Sequence, residues 1–166
     1  GEFARAAKVG ARYMAAYAPH QLVGWAPAYG IIAMSLIELG QVERAKRLCE
    51  DALSQVSQAD LGYFVMYAPL EIAYAMALAA LGEYERGKQI VTTRIDRLRS
   101  QGEHASIVNL YQYQARMAQL VGDDEGVARS LQAMREAALT SGLPAVILLA
   151  DRVAELRAKR RSSPVP

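Results

Sequence analysis

A segment of this chain repeats itself at an interval of 42 residues, and this repeat limits the possible folds more than any other sequence feature. In the first copy, a Trp-Ala-Pro motif at 25–27 leads to a Leu-Gly pair at 39–40. In the second, a Tyr-Ala-Pro motif at 67–69 leads to a Leu-Gly pair at 81–82. A weaker third copy has Val-Gly at 121–122, with an offset of 40 residues from the second. Repeats of this length are built from supersecondary units that stack on one another.

Each copy has the composition of two helices joined by a glycine turn. An apolar segment runs up to the glycine, which supplies the left-handed residue that ends a helix at little cost. Acidic or polar residues follow, as at the start of a second helix. This second segment is amphipathic, because its apolar residues recur every three or four positions, in the first copy at Val42, Ala45, Leu48, Cys49, Ala52 and Leu53.

The pattern predicts an all-α protein of eight helices, at 3–17, 20–39, 42–57, 60–81, 84–100, 104–121, 124–140 and 144–159. Pro144 suits the first turn of the last helix. Pro27 and Pro69 either kink long helices or begin shorter ones after a separate turn. Since the repeat is longer than a minimal hairpin requires, we expect the long, kinked helices.

The two ends of the chain are expected to lie outside the folded domain. Residues 1–3 read Gly-Glu-Phe, which is what a cloning junction leaves behind, so we expect a piece of a longer protein. The predicted domain covers 4–160, and 161–166 form a flexible basic tail. Four cations lie where the domain meets this tail, at Arg157, Lys159, Arg160 and Arg161. They suit the negative end of the last helix dipole, with a nucleic-acid or anionic-lipid contact as the alternative.

The bulk composition narrows the choice of partners and of compartment. A formal net charge of +2 is too small to indicate direct nucleic-acid or membrane binding. One cysteine, Cys49, excludes an internal disulfide and favours a reducing, cytoplasmic location. No signal peptide is visible, and no apolar run reaches the roughly 18 residues of a membrane span.

The residues that could carry chemistry all have simpler explanations. His20 and His104 are far apart in sequence and lack neighbouring ligands of metal-binding spacing. Cys49 lies on the apolar stripe of its helix, where a buried thiol acts as a small hydrophobe. The acidic run at 123–125 fits a helix start. We therefore expect no catalytic residues, no metal and no cofactor.

From Ala26, the first unit resembles the tetratricopeptide repeat. Its small positions fall on Ala33, Ala45 and Ala52, and Cys49 stands where that family prefers an aromatic residue. Units at 26–57, 68–100 and 108–140 fit the pattern with residues that include Tyr29, Tyr74, Ala75, Gly87, Tyr111, Ala115 and Leu131. Arg94 departs from it, because a small residue is expected there. The period of 40–42 also departs from the usual 34.

The resemblance implies a right-handed superhelical stack of antiparallel hairpins. The long period is more similar to the irregular arrays found in large bacterial signalling ATPases, transcription regulators and multidomain kinases. In the family, the first helices of successive hairpins line a concave surface that binds a partner. Carried onto this sequence, the inward positions are Pro27, Gly30, Met34 and Ile37 in the first unit, Pro69, Ile72, Met76 and Ala79 in the second, and Asn109, Gln112, Arg116 and Gln119 in the third. The residues expected to bind the partner are Met34, Ile37, Ile72, Met76, Asn109, Gln112, Arg116 and Gln119.

Two interpretations of this surface remain open. An apolar wall with a polar end suits a peptide or helix that has an apolar anchor and an acidic end. Alternatively, a neighbouring helix or a second copy of the chain covers the apolar residues. The carboxylate clamp of chaperone-binding members is absent, since Gly30 and Met34 stand at its lysine and asparagine positions.

The leading functional hypothesis is a scaffold module that binds another protein or a domain of its own parent chain. The alternatives are a sensor of a small ligand or peptide that regulates an effector domain elsewhere, and a structural oligomerisation unit. A deep pocket near Arg116 would favour the sensor, an open apolar groove would favour the scaffold, and concentration-dependent mass would favour the oligomer.

Overall fold

The computed structural model describes residues 2–16, 25–56 and 67–162, with side chains for 2–12, 25–56 and 67–155. Across these ranges the chain is helical and contains no strand, which confirms the predicted all-α class. The helices are α1 (Glu2–Ala16), α2 (Trp25–Glu38), α3 (Val42–Leu53), α4 (Ala68–Ala80), α5 (Tyr84–Ser100), α6 (His104–Leu120), α7 (Asp124–Ser141) and α8 (Pro144–Ser162).

The chain divides into two compact units, at 1–91 and at 92–166. In the first unit, α2 packs against α1, α3 and α4, and α3 also packs against α4. In the second unit, α6 packs against α7 and α8, and α7 packs against α8. The single domain expected at 4–160 stays a prediction.

Four helix-to-helix connections share one three-residue turn. In the first of them, Gly40 has φ 74° and the amide of Gln41 donates to the carbonyl of Leu36 at 2.9 Å. This 6→1 bond is the Schellman motif, and it satisfies a carbonyl that the helix end would leave without a partner. The same turn recurs at Gly82, Gly102 and Gly122. The repeat predicted the turns at 40, 82 and 122, whereas the turn at Gly102 was not singled out.

Small residues form the centre of the first unit. The predicted small positions Ala33, Ala45 and Ala52 are fully buried, together with Cys49, which confirms the packed thiol. At Gly30, α2 approaches α4 so closely that an added Cβ would lie 2.5 Å from the carbonyl carbon of Pro69. Glycine at this position therefore sets the distance between the two helices.

The start of α4 bears on the two interpretations of Pro69. The helix begins at Ala68, Tyr67 is its N-cap residue, and Pro69 lies in the first turn. As described, α4 has this proline in its first turn, as in the alternative of a shorter helix. The first turn is where proline is tolerated, because its missing N–H would have no helical acceptor there. Pro27 lies in the first turn of α2 as described, and positions 20–24 and 60–66 of the predicted long helices lie outside the described residues.

The second unit has a larger-residue core, with Ile107 and Met117 of α6 and Met134 of α7 fully buried. The acidic run begins α7 as predicted, because an Asp123 carboxylate oxygen accepts the amide of Gly126 at 2.7 Å. Arg94, which stands where the resembled family has a small residue, is only 7% exposed on α5.

Candidate interaction surface

From α2 to α7, helices with one charged residue alternate with helices that carry several. The exposed faces of α3, α5 and α7 carry several acidic and basic residues each. By contrast, Glu38 is the only charged residue of α2, Glu71 that of α4 and Arg116 that of α6. For α2 and α4, burial explains the scarcity of charge, since both helices lie among others and residues 73–79 of α4 are all buried. For α6 burial is not a sufficient explanation, because one of its faces is open.

The open face of α6 contains the four polar residues predicted from the sequence. Asn109 and Gln119 are exposed, and Gln112 and Arg116 are half-buried. Their spacing of three, four and three residues places all four on one side of the helix. The structure therefore brings these four predicted residues together along about three turns of one helix.

Two further residues lie on the same stripe and were not predicted as part of it. Tyr113 follows Asn109 by four positions and is half-buried, and Leu120 follows Arg116 by four positions and is 50% exposed. The same helical spacing that selected the polar residues would have found both. They add an aromatic ring and an apolar side chain to the polar face.

The opposite side of α6 is attached to α5. The hydroxyl of Tyr111 accepts from the guanidinium of Arg99 at 2.6 Å. The amide of Gln114 donates to the hydroxyl of Thr92 at 3.0 Å. These contacts set the rotation of α6 about its axis, which leaves the stripe of Asn109 open.

The apolar half of the predicted surface is largely covered. Met76 is 0% exposed, so its side chain is inside the protein. Met34 and Ile37 are partly buried and pack against the core of the first unit, and Ile72 is partly buried as well. For these residues the burial matches the alternative in which neighbouring helices cover them. Ile31, which the sequence did not single out, is instead 60% exposed on α2.

A cluster of charged side chains joins three helices of the first unit. The ammonium of Lys46 lies 2.6 Å from Glu83, whose second oxygen lies 2.8 Å from Arg86. Arg86 also donates to the hydroxyl of Tyr74 at 3.1 Å, and this hydroxyl donates to Glu50 at 3.1 Å. The hydrogen bonds from Lys46 and Arg86 lower the pKa of Glu83 below its ordinary value. Every member has a partner within the cluster, so packing accounts for it.

The remaining candidates for chemistry are few. Burial raises the pKa of the Cys49 thiol to about 12, which keeps it protonated and unreactive at neutral pH. His104 is half-buried at the first position of α6, and His20 lies outside the described residues. Among the described side chains, no group of His, Cys, Asp and Glu has the arrangement of a metal site. None of the described helices is long and apolar enough to cross a membrane.

The open face of α6 and the packing of the helices are therefore the features that bear on function. Comparison of the chain with protein families, with characterised proteins and with solved structures gives no match.

Proposed function

We propose that this chain is a protein-interaction module of a larger bacterial signalling or regulatory protein, and that it binds a peptide, a helix or a partner domain through the open face of α6. The observation that carries this proposal is the composition of that face. It contains amides, a tyrosine, a leucine and one arginine, and it lacks lysine and acidic residues.

This composition is that of an interface. Protein interfaces are enriched in Tyr and Arg and depleted in Lys, Glu and Asp relative to the rest of the surface. Side-chain amides such as Gln112 both donate and accept, so they can pair with a partner's backbone. The planar guanidinium of Arg116 suits a carboxylate. A face adapted to water alone would resemble those of α3, α5 and α7 in the same chain, which carry mixed charges.

The second part of the proposal concerns the arrangement of the helices. We place the chain among tetratricopeptide-like stacks, with antiparallel hairpins in a right-handed superhelix. The equal turns at Gly40, Gly82, Gly102 and Gly122 support it, because each joins two helices by three residues. The packing of α2 against both α3 and α4 also supports it, since a first helix in such a stack contacts its own hairpin partner and the next hairpin.

The test is affinity capture from a bacterial lysate with matched variants. The site variant is Gln112→Ala/Arg116→Glu. The control is Arg97→Glu/Gln101→Ala, which makes the same two changes at the same four-residue separation on the exposed side of α5 and the turn that follows it. We expect a partner that the wild type and the control retain and that the site variant loses. Equal retention by all three proteins would exclude this face as the binding site.

A second candidate function, assembly of several copies, is supported by a different surface. Three leucines close in sequence are half or more exposed, namely Leu139 at the end of α7, Leu143 in the turn that follows and Leu148 in α8. Contiguous exposed apolar side chains mark contact sites or aggregation-prone surfaces. Dependence of the mass on concentration distinguishes this function from the first.

A further inference from the structure

The outer side of α1 carries a stripe of positive charge. Arg5, Lys8 and Arg12 are all exposed, and their spacing of three and four residues places them on one face. The other side of the helix is packed, since Gly10 is buried and Ala7 lies against the core of the first unit. The three cations therefore point away from the protein along about 10 Å of helix.

One acidic residue, Glu2, occurs near this stripe in sequence, three positions before Arg5. Between Phe3 and Ile37 the chain contains neither Asp nor Glu, and Glu2 is the only acidic residue of α1. The neighbouring α2 contributes no charge before Glu38. The three cations Arg5, Lys8 and Arg12 therefore outnumber the one carboxylate of α1, in contrast to α3 and α5, where acidic and basic residues alternate.

A membrane surface is a poor match for α1. A helix that lies in a bilayer interface buries an apolar face among the lipids. In α1 the small and apolar side is already occupied, because Gly10 packs against the side chain of Ile32 on α2. Among the side chains of α1 that the structure describes, the exposed apolar ones are Phe3 at 52%, Val9 at 59% and the small Ala4 and Ala11, which is less apolar surface than a helix buried among lipids presents.

A nucleic acid is also a weaker match than a protein. Affinity for a duplex grows with the number of phosphates that a protein's cations neutralise, and three cations on one helix supply few such contacts. In addition, Val9 lies within the stripe and is 59% exposed. An apolar side chain between cations has no counterpart on a phosphate backbone, whereas an amphipathic helix can offer carboxylates and an apolar residue together.

We infer that α1 docks an acidic amphipathic helix of a partner protein, with carboxylates opposite Arg5, Lys8 and Arg12 and an apolar side chain on Val9. Arg5, Lys8 and Arg12 are three and four positions apart along α1. A facing helix with acidic residues at the same spacing can therefore place one carboxylate opposite each cation. This surface is separate from the face of α6, so the inference does not depend on the proposed function.

The test measures binding of a labelled helical peptide by fluorescence anisotropy. The peptide has about 20 residues, enough to hold a helix, with Glu at three- and four-residue spacing and Leu between them. A second peptide carries Gln in place of every Glu. The site variant is Arg5→Glu/Lys8→Glu/Arg12→Glu. The control, Arg44→Glu/Arg47→Glu/Lys88→Glu, changes three exposed cations of the same unit and has the same net charge. Thermal melts establish that both variants are folded.

We expect the wild type to bind the Glu peptide, and the site variant to bind it at least about tenfold more weakly, while the control stays within about twofold. Val9→Ser, which keeps the charge, should weaken binding about threefold. Equal losses in both triple variants would reduce the effect to net charge and overturn the inference. The inference would also be overturned if the wild type bound the Gln peptide tightly, or failed to bind the Glu peptide at about 1 mM. A further contrary outcome is that a DNA duplex binds more tightly than the Glu peptide and loses affinity in the site variant.

Discussion

The ammonium of Lys46 on α3 lies 2.6 Å from a carboxylate oxygen of Glu83, 37 positions further along the chain. Glu83 also closes the turn before α5, because its amide donates to the carbonyl of Leu78 at 2.9 Å. One residue thus connects the end of α4, the start of α5 and the side of α3. The contact holds a hairpin against the helix that precedes it.

Glu83→Gln should therefore lower the melting temperature at neutral pH. The melting temperature of the variant should also change less with pH than that of the wild type. Lys46 and Arg86 hold the pKa of the Glu83 carboxyl below 4.5, so its charge stabilises the folded state above that pH. This contribution is lost as the pH falls through the lower pKa of the folded state. The melting curves of the variant and the wild type should converge on acidification. Glu85→Gln, at an exposed position on the same helix, serves as the control and should melt like the wild type at every pH.

Gly30→Ala tests the close approach of α2 and α4. The added methyl group would meet the backbone of Pro69, which cannot rotate away, so we expect a loss of about 1–3 kcal/mol in the free energy of unfolding. Gly10→Ala is the comparison, because the nearest atoms to its methyl group belong to the buried Ile32 side chain and not to a backbone. It should destabilise less than Gly30→Ala, since a side chain can shift where a backbone cannot and alanine also favours the helix. Denaturant unfolding measures both, and equal effects would show that the α2–α4 distance is adjustable.

Ala45→Glu should be strongly destabilising. Ala45 is 0% exposed in the core of the first unit, so the new carboxylate would be buried without a designated partner. We expect a loss of about 3 kcal/mol or more, or failure to fold. Ala11→Glu makes the same change at an exposed position of α1 and should be nearly neutral. If Ala45→Glu melted like the wild type, the assignment of α3 to the hairpin core would be wrong.

The turns show what the sequence can predict. Glycine after an apolar helix end has a local physical cause, so Gly40, Gly82 and Gly122 were found without the structure. The turn at Gly102 was predicted only as the gap between the helices at 84–100 and 104–121, because no Leu-Gly pair marks its glycine. From Gly82 onward, however, the turn glycines follow at intervals of 20 residues, at 82, 102, 122 and 142. That spacing was available in the sequence.

Surfaces were harder to predict, because exposure depends on neighbours that are distant in sequence. The helix that carries Met76 is apolar on all sides, so periodicity alone cannot say which side is covered. The polar residues of α6 could be predicted, since the repeat register places Asn109, Gln112, Arg116 and Gln119 at a spacing of three, four and three residues on one helical face. The cationic stripe of α1 was overlooked because a net charge near zero conceals regions of one sign. Counting acidic residues from Phe3 to Ile37 would have revealed it.

Leu148→Glu tests whether the apolar end of the second unit forms an assembly contact. Leu148 is 71% exposed, and Leu139 and Leu143 nearby are also half or more exposed. If copies associate there, the mass of the wild type, measured by light scattering, should rise with concentration. The variant should remain monomeric because the contact would then bury a charge. Ile31→Glu adds the same charge at another exposed apolar position and should associate like the wild type. A wild type that stays monomeric up to about 100 μM, well above the concentrations at which stable dimers form, would contradict an assembly contact at these leucines.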